Sequence, residues 1–217
     1  IRRLDVVALT HLHADHAGGV PALIDNFRPR EVWTGAAPDC PEWDEIRRRA
    51  ARHGARLVEL RAGRGFDYGG ARIEVLAPAA GYIPAGGPSN GDSLVLRVSY
   101  GRHSFLLAGD AQRDVEWEIL GGVARADVLK LGHHGSRTSS TEEFLDAAHP
   151  AFALITAGPD NMYGYPHPDV VRRLEERRVA AFRTDRHGLV SFRTDGRRLR
   201  VDAAAWAASP GGLYSAF

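Results

Sequence analysis

The sequence predicts an α/β protein of layered architecture around a mixed sheet, on three observations. Apolar, β-branched runs of strand length recur along the chain, beginning with "LDVVALT" at Leu4–Thr10. Segments with apolar residues at helical spacing alternate with them, as Val20, Leu23, Ile24 and Phe27 do in "VPALIDNF". One pair of runs, "DSLVLRVSYGRHSFLLAGD", closes on Gly101-Arg102 as an antiparallel hairpin, so strands of both directions share the architecture.

Each element follows from local signals. After the first strand, Gly18-Gly19 lead into the helix "VPALIDNF", and "REVWTG" is the next strand. "PEWDEIRRRAARHG" is a helix with Pro41 near its start and Gly54 at its C-terminal end. "ARLVELRAG" and "ARIEVLAP" are strands, and Ala79–Gly91 is a Gly/Pro-rich loop. Beyond the hairpin, "AQRDVEWEILG" is a helix and "DVLKL" a strand. Ser140 and Glu143 have the spacing of a capping box opening the helix "TEEFLDAAH". "AFALITAG" is a strand, and "HPDVVRRLEERR" a helix with Pro168 in its first turn. "VAAFRTD", "LVSFRTDG" and "RLRVDA" finish as short strands. One domain over 1–205 and a loose tail over 206–217 are expected.

Bulk composition excludes several classes. With 44% hydrophobic and 25% charged residues, the 217-residue chain reads as a soluble globular domain. Its net charge of +1, from 28 Lys+Arg against 27 Asp+Glu, gives no global attraction to nucleic acid, although arginines cluster at Arg47–Arg49 and Arg197–Arg200. The single cysteine, Cys40, excludes an internal disulfide and a cysteine-rich zinc site. No run of about 18 apolar residues is present to span a membrane. The chain opens in a strand-like run without a signal-peptide pattern, which reads as a piece of a longer protein.

"THLHADHAGG" carries the strongest chemical signal. His11 and His13 lie two apart after a strand and fall on one side of extended backbone. A following turn can return Asp15 and His16 toward a second point, the pattern of a two-metal centre. Asp110 ends the apolar strand "FLLAGD", where a carboxylate is costly unless paired or metal-bound; it can also cap the following helix. His103 lies seven residues before it, roughly 23 Å at strand rise, so both cannot serve one centre. Asn90, Asp92 and Ser93 fall at the Asp110 end of the hairpin, as weak ligands, supporting contacts or turn residues. His53, His149 and His187 read as structural.

"LKLGHHGSRTSS" adds adjacent histidines, His133 and His134, which point to opposite sides if the backbone is extended and so should do different jobs. Ser136, Arg137, Thr138, Ser139 and Ser140 offer hydroxyls, a guanidinium and backbone donors for a phosphate, or form a polar loop with a helix cap.

These motifs together resemble the metallo-β-lactamase superfamily. The order "NGDSLVL…FLLAGD…DVLKLGHHGSRTSS…YGYPHPDVV…RTDRHGLVSFRTDG" is similar to the C-terminal hydrolase domain of the ComEC family of bacterial competence proteins, from Leu4 to about Val201. The resemblance implies an αββα sandwich with a dinuclear centre. His11 and His13 would bind one metal, Asp15 and His16 the other, and Asp110 would bridge. Of the adjacent histidines, the resemblance favours His133 as the ligand completing the second site, with His134 turned to the substrate side or a nearby carboxylate. The family's opening strand motif and its third-motif histidine have no counterpart, which implies missing first strands and an incomplete first site. Tyr165 stands where the family often has histidine, while His167 is retained.

The implied activity is metal-assisted phosphodiester hydrolysis of DNA, single-stranded during uptake. Two divalent ions, zinc or manganese, with iron also compatible with the ligand types, would activate water. Asp15 would orient it, His134 would act beside the metals, and His167 would donate to a phosphate or leaving oxygen. Ser136, Arg137 and Ser139 would hold the phosphate. The parent protein would lie in a bacterial membrane with this domain outside the cytoplasm. Two other readings are a stand-alone hydrolase of a lactone, thioester or phosphocholine ester, and a non-catalytic module guiding DNA.

Overall fold

A computed structural model describes residues 2–204 and the backbone of 215–216. The chain divides into two compact units, Ile1–Arg64 with Val75–Val95, and Gly65–Glu74 with Leu96–Phe217. The expected tail, 206–217, lies outside the described residues except for that short stretch.

The first unit is built on parallel strands β1 (Val6–Leu9), β2 (Glu31–Thr34) and β3 (Arg56–Glu59), adjacent in that order. Parallel neighbours require crossovers. The first contains the one-turn helix α1 (Ala14–Ala17) and α2 (Val20–Phe27), and the second is α3 (Pro41–His53). Pro41 occupies the first turn of α3, and Gly54 ends it at φ 68, where a side chain would be strained. Val7, Leu9, Ile24, Val32, Ile46 and Ala50 form the core between strands and helices.

The strand β4 (Gly65–Tyr68) pairs antiparallel with β5 (Ala71–Ala77). The sequence reading passed over β4, since "GFDY" is short, begins with glycine and has no fully buried residue. β6 (Val95–Tyr100) and β7 (His103–Leu107) form the expected hairpin, with Tyr100 opposite His103.

Strands β8 (Val128–Lys130), β9 (Phe152–Ile155) and β10 (Ala180–Arg183) add in parallel beside β7. They are reached through α4 (Arg113–Ile119), α5 (Glu142–Ala148) and α6 (Pro168–Glu176). The resulting seven-stranded sheet has the order β10-β9-β8-β7-β6-β5-β4 and is mixed, as expected. A one-turn helix, α7 (Thr184–His187), leads into β11 (Val190–Thr194), which pairs antiparallel with β12 (Leu199–Ala203); β12 pairs in turn with β13 (Ser215–Ala216). Phe192 of β11 packs 5.7 Å from both Phe152 and Phe182, which joins this small sheet to the parallel strands.

The expected capping box at Ser140 and Glu143 does not form. Thr141 caps α5 by accepting from the Phe144 amide, while Ser140 turns at φ 55. The buried Glu116 carboxylate of α4 instead accepts from Ser140 N at 2.6 Å, Thr141 N at 2.9 Å and Thr141 Oγ1 at 2.8 Å. A carboxylate with three donors outcompetes a local cap, and it fixes the end of the polar loop to α4.

Candidate functional site

In the first unit, the chain leaves β1 and places four imidazole and carboxylate side chains around one turn. His11 is 2% exposed, and its Nε2 stands 2.9 Å from His13 Nδ1. His13 Nε2 donates to the carbonyl oxygen of Pro88 at 3.1 Å, which assigns the lone pair to Nδ1. Thr10 Oγ1 lies 3.2 Å from His11 Nδ1 and 2.9 Å from His16 Nδ1, so one hydroxyl orients both rings. Helix α1 is the expected turn: it brings the His16 ring to 4.3 Å from that of His11, with His16 Nε2 3.6 Å from Asp15 Oδ2.

Two atoms bound to one cation at ~2.0–2.1 Å lie roughly 3.0–3.4 Å apart. The His11–His13 pair is close to that spacing, and its outer nitrogens are held by protein oxygens, as those of metal ligands usually are. The donor set therefore fits a divalent cation that accepts imidazole and carboxylate ligands, such as zinc or manganese.

Nearby in this unit, Asp92 is fully buried and engaged. Its carboxylate accepts from Tyr82 Oη at 2.9 Å and from Ser89 N at 2.8 Å, closing a capping box over a short 3-10 turn at Asn90–Asp92. That gives Asp92 and Asn90 a turn role.

In the second unit, Asp110 follows β7 and is 2% exposed. It does not cap α4, whose N-cap is Gln112. Lys130 Nζ lies 3.6 Å from Asp110 Oδ1 and donates to the Gly109 carbonyl at 2.8 Å; His134 Nε2 lies 3.5 Å from Oδ2. Asp110 holds His134 above the ordinary imidazole value, against the opposing effect of burial.

The adjacent histidines diverge for a reason other than the expected one. The backbone is not extended: His133 and His134 both adopt left-handed conformations, at φ 45 and 55. Each costs about 1 kcal/mol or more and persists where surrounding structure imposes it. Gly132 allows the approach, since a Cβ there would meet the Ala111 carbonyl oxygen at 2.4 Å.

His134 Nδ1 donates to the Thr156 carbonyl at 2.7 Å, so Nε2 is the nitrogen left facing Asp110. His133 Nδ1 accepts from Gln112 Nε2 at 2.9 Å, so its Nε2 carries the proton, and the ring packs at 5.5 Å on Tyr165. Of the pair, His134 is the ring that faces Asp110, while His133, the expected ligand, faces Tyr165.

The polar loop is more restricted than its composition suggested. Ser139, an expected phosphate contact, is fully buried and donates to the Gly132 carbonyl at 2.8 Å. Ser136 is also buried, 3.0 Å from Thr138 Oγ1. The amides of Ser140 and Thr141 go to Glu116. Arg137 and Thr138 are the exposed members, and Arg137 Nε lies 3.2 Å from Asp169 Oδ2. His167 caps α6, its Nδ1 accepting from Asp169 N at 3.1 Å, which leaves the proton on Nε2.

His103 sits at the turn end of the hairpin, 3.6 Å from Asp127, remote along β7 from Asp110, as the strand length required. His53 pairs with Asp25, His149 ends α5, and His187 Nδ1 accepts from Arg183 N. Sequence reasoning missed Thr10, Gln112, Glu116, Lys130 and Thr156. Lys130 did leave a signal, as a lysine inside the apolar run "DVLKL".

The superfamily profile for "Metallo-beta-lactamase superfamily" matches residues 1–158. The chain belongs to the metallo-β-lactamase superfamily. ComE operon protein 3 of Bacillus subtilis (strain 168) is 32% identical over 200 residues, covering 91% of this chain and 25% of that protein. Competence protein ComA of Neisseria gonorrhoeae is 33% identical over 218 residues, covering 97% of this chain and 29% of that protein. This metallo-β-lactamase chain thus spans about a quarter of the length of the curated relatives it matches. The expected likeness to ComEC-type competence proteins is borne out. The metallo-beta-lactamase fold protein YhfI from Bacillus subtilis superposes with a TM-score of 0.53 at 13% identity, over 83% of this chain and 74% of that one, and supports the same fold. Among the described residues, no helix is long and apolar enough to cross a membrane.

Proposed function

We propose that this chain is the catalytic part of a metal-dependent phosphodiesterase that cleaves single-stranded DNA during DNA uptake. The observation that carries the hydrolase reading is His134, with Nδ1–H given to the Thr156 carbonyl and Nε2 beside the buried Asp110, the arrangement of a metal-ligating histidine. The DNA substrate is supported by the relatives named as competence proteins.

The ligands in this reading are His11, His13, Asp15 and His16 in the first unit, and Asp110 and His134 in the second. Bound zinc or manganese ions supply Lewis acidity that acidifies a water and offsets charge on a phosphoryl oxygen. Asp15, whose side chain is 62% exposed, orients the attacking water. Arg137 and Thr138 hold the phosphate, the guanidinium by charge-assisted hydrogen bonds. His133 donates from Nε2 to charge developing on the phosphoryl group. His167 donates its Nε2 proton to the leaving oxygen. In this reading the parent protein lies in a bacterial membrane with this part outside the cytoplasm, as the competence-protein relatives suggest.

The test is to strip the purified chain with chelator, titrate zinc or manganese, and assay a single-stranded oligonucleotide beside a lactone, a thioester and a phosphocholine ester. Metal-dependent cleavage of the oligonucleotide is expected. Hydrolysis confined to a small ester would replace DNA as the substrate. Binding of DNA without hydrolysis at any metal load would make the chain a guiding module.

A further inference from the structure

A cleft in the second unit lies against the exposed end of the polar loop. Its volume is about 550 Å³, and Gln112, Arg113, Asp114, Trp117, Arg137 and Thr138 line it. That volume falls within the ~300–1,000 Å³ range of small-ligand sites. Trp117 is 59% exposed, although the same helix buries Val115, Glu116 and Ile119. A large aromatic left in water at the edge of a cleft is a ready surface for another flat ring.

Cationic groups outnumber carboxylates in the lining. It holds two guanidinium groups, Arg113 and Arg137, and one carboxylate, Asp114, while Asp169 outside it reaches Arg137 at 3.2 Å. The lining contains no aliphatic side chain, and Trp117 is its one large apolar group. An aromatic face flanked by arginines matches the way single-stranded nucleic acid is held, bases on the ring and phosphates on the cations.

The cleft is also tied to the histidine loop. Arg113 N donates to the Thr138 carbonyl at 2.9 Å, which joins the start of α4 to the loop. Gln112 Nε2 bridges Thr138 Oγ1 and His133 Nδ1, both at 2.9 Å. A strand seated on the cleft therefore has a continuous polar path to His133.

We propose that this cleft is a nucleotide subsite for single-stranded DNA, in which Trp117 stacks on a base and Arg113 and Arg137 contact the flanking phosphates. The proposal rests on the DNA reading above and adds to it a residue that positions the strand without touching the reacting atoms. A duplex would not serve, because its bases are already stacked.

Binding is measured on the full chain with chelator present, so that no cleavage occurs, by anisotropy of a labelled oligothymidylate and of an abasic oligonucleotide of equal length. Trp117→Ala weakens the oligothymidylate about tenfold or more and leaves the abasic strand unchanged; Trp117→Phe restores most of the loss. Arg113→Gln and Arg137→Gln each reduce the salt slope of binding by about 0.7, the value for one phosphate on a single strand. Equal loss on both oligonucleotides, or no loss with Trp117→Ala, overturns the stacking subsite. If metal-loaded wild type still cleaves DNA in that case, the functional reading stands without the subsite. If wild type neither binds nor cleaves DNA, both fall. Binding of an unrelated peptide with the same Trp117 dependence but no DNA binding makes the cleft a protein site and also overturns the proposal.

Discussion

His134 Nδ1 stands 2.7 Å from the carbonyl oxygen of Thr156, which places a proton on that nitrogen and turns Nε2 toward Asp110. His133, one residue earlier, is protonated on the opposite nitrogen because Gln112 donates to its Nδ1. The two histidines therefore predict different mutants. His134→Ala loses bound metal, with affinity down at least 10–100-fold, the effect of removing even a ligand's supporting contact. His133→Ala keeps its metal and loses ~10²-fold in kcat. Metal content by mass spectrometry, read beside turnover, decides the matter; the reverse pattern would return the ligand role to His133.

Metal retention should weaken on acidification. A ligating imidazole must be deprotonated, and Asp110 holds the His134 pKa above its ordinary value of 6.5. Competition between the metal and protons at His134 therefore begins at a higher pH than for an unperturbed imidazole. Asp110→Asn removes the carboxylate that raises it, so in the metal-free protein His134 should titrate at lower pH, read by NMR of the imidazole protons. An unchanged His134 titration would show that Asp110 does not govern it.

Glu116 predicts the pH dependence of stability. Burial raises its pKa above 4.5. The folded state therefore holds this proton more tightly than the unfolded state. The resulting stabilisation is fully present below pH 4.5 and is lost as pH rises through the folded value. Thermal melts from pH 4.5 upward should fall more steeply for wild type than for Glu116→Gln. Glu116→Ala should cost about 2–4 kcal/mol in denaturant unfolding, because the buried Ser140 amide and the Thr141 amide lose their acceptor.

Gly135 tests the loop geometry. It lies at φ 81, and a Cβ there would approach Pro166 Cβ to 2.7 Å. Gly135→Ala should destabilise by about 1–3 kcal/mol and displace His167, whose amide donates to the Gly135 carbonyl. A melt equal to wild type would show that the loop yields at little cost.

His167→Ala should leave metal content intact and lower kcat by ~10²-fold, the contribution of one positioned proton donor. A matching loss of bound metal would move His167 from donor to ligand.

The sequence determined the alternation of strands and helices, because burial imposes periods that survive in the apolar pattern. It also marked the candidate donors: "THLHADH" and "FLLAGD" hold imidazoles and carboxylates whose type fits a cation. The exclusion of His103 came from strand length, which the hairpin register confirms with Tyr100 opposite His103. What the sequence could not give was the partner of each ring nitrogen. Thr156 is 22 residues from His134, and Pro88 is 75 residues from His13, yet their carbonyl oxygens set which nitrogen of each ring holds a proton. Ser139 and Glu116 make the same point. In a linear chain one is a free hydroxyl and the other a surface carboxylate. Tertiary structure buries both and uses them to hold the loop, leaving Arg137, Thr138 and the neighbouring Trp117 exposed. Residue type and local period are properties of the chain, whereas protonation and exposure depend on distant groups that only folding brings near.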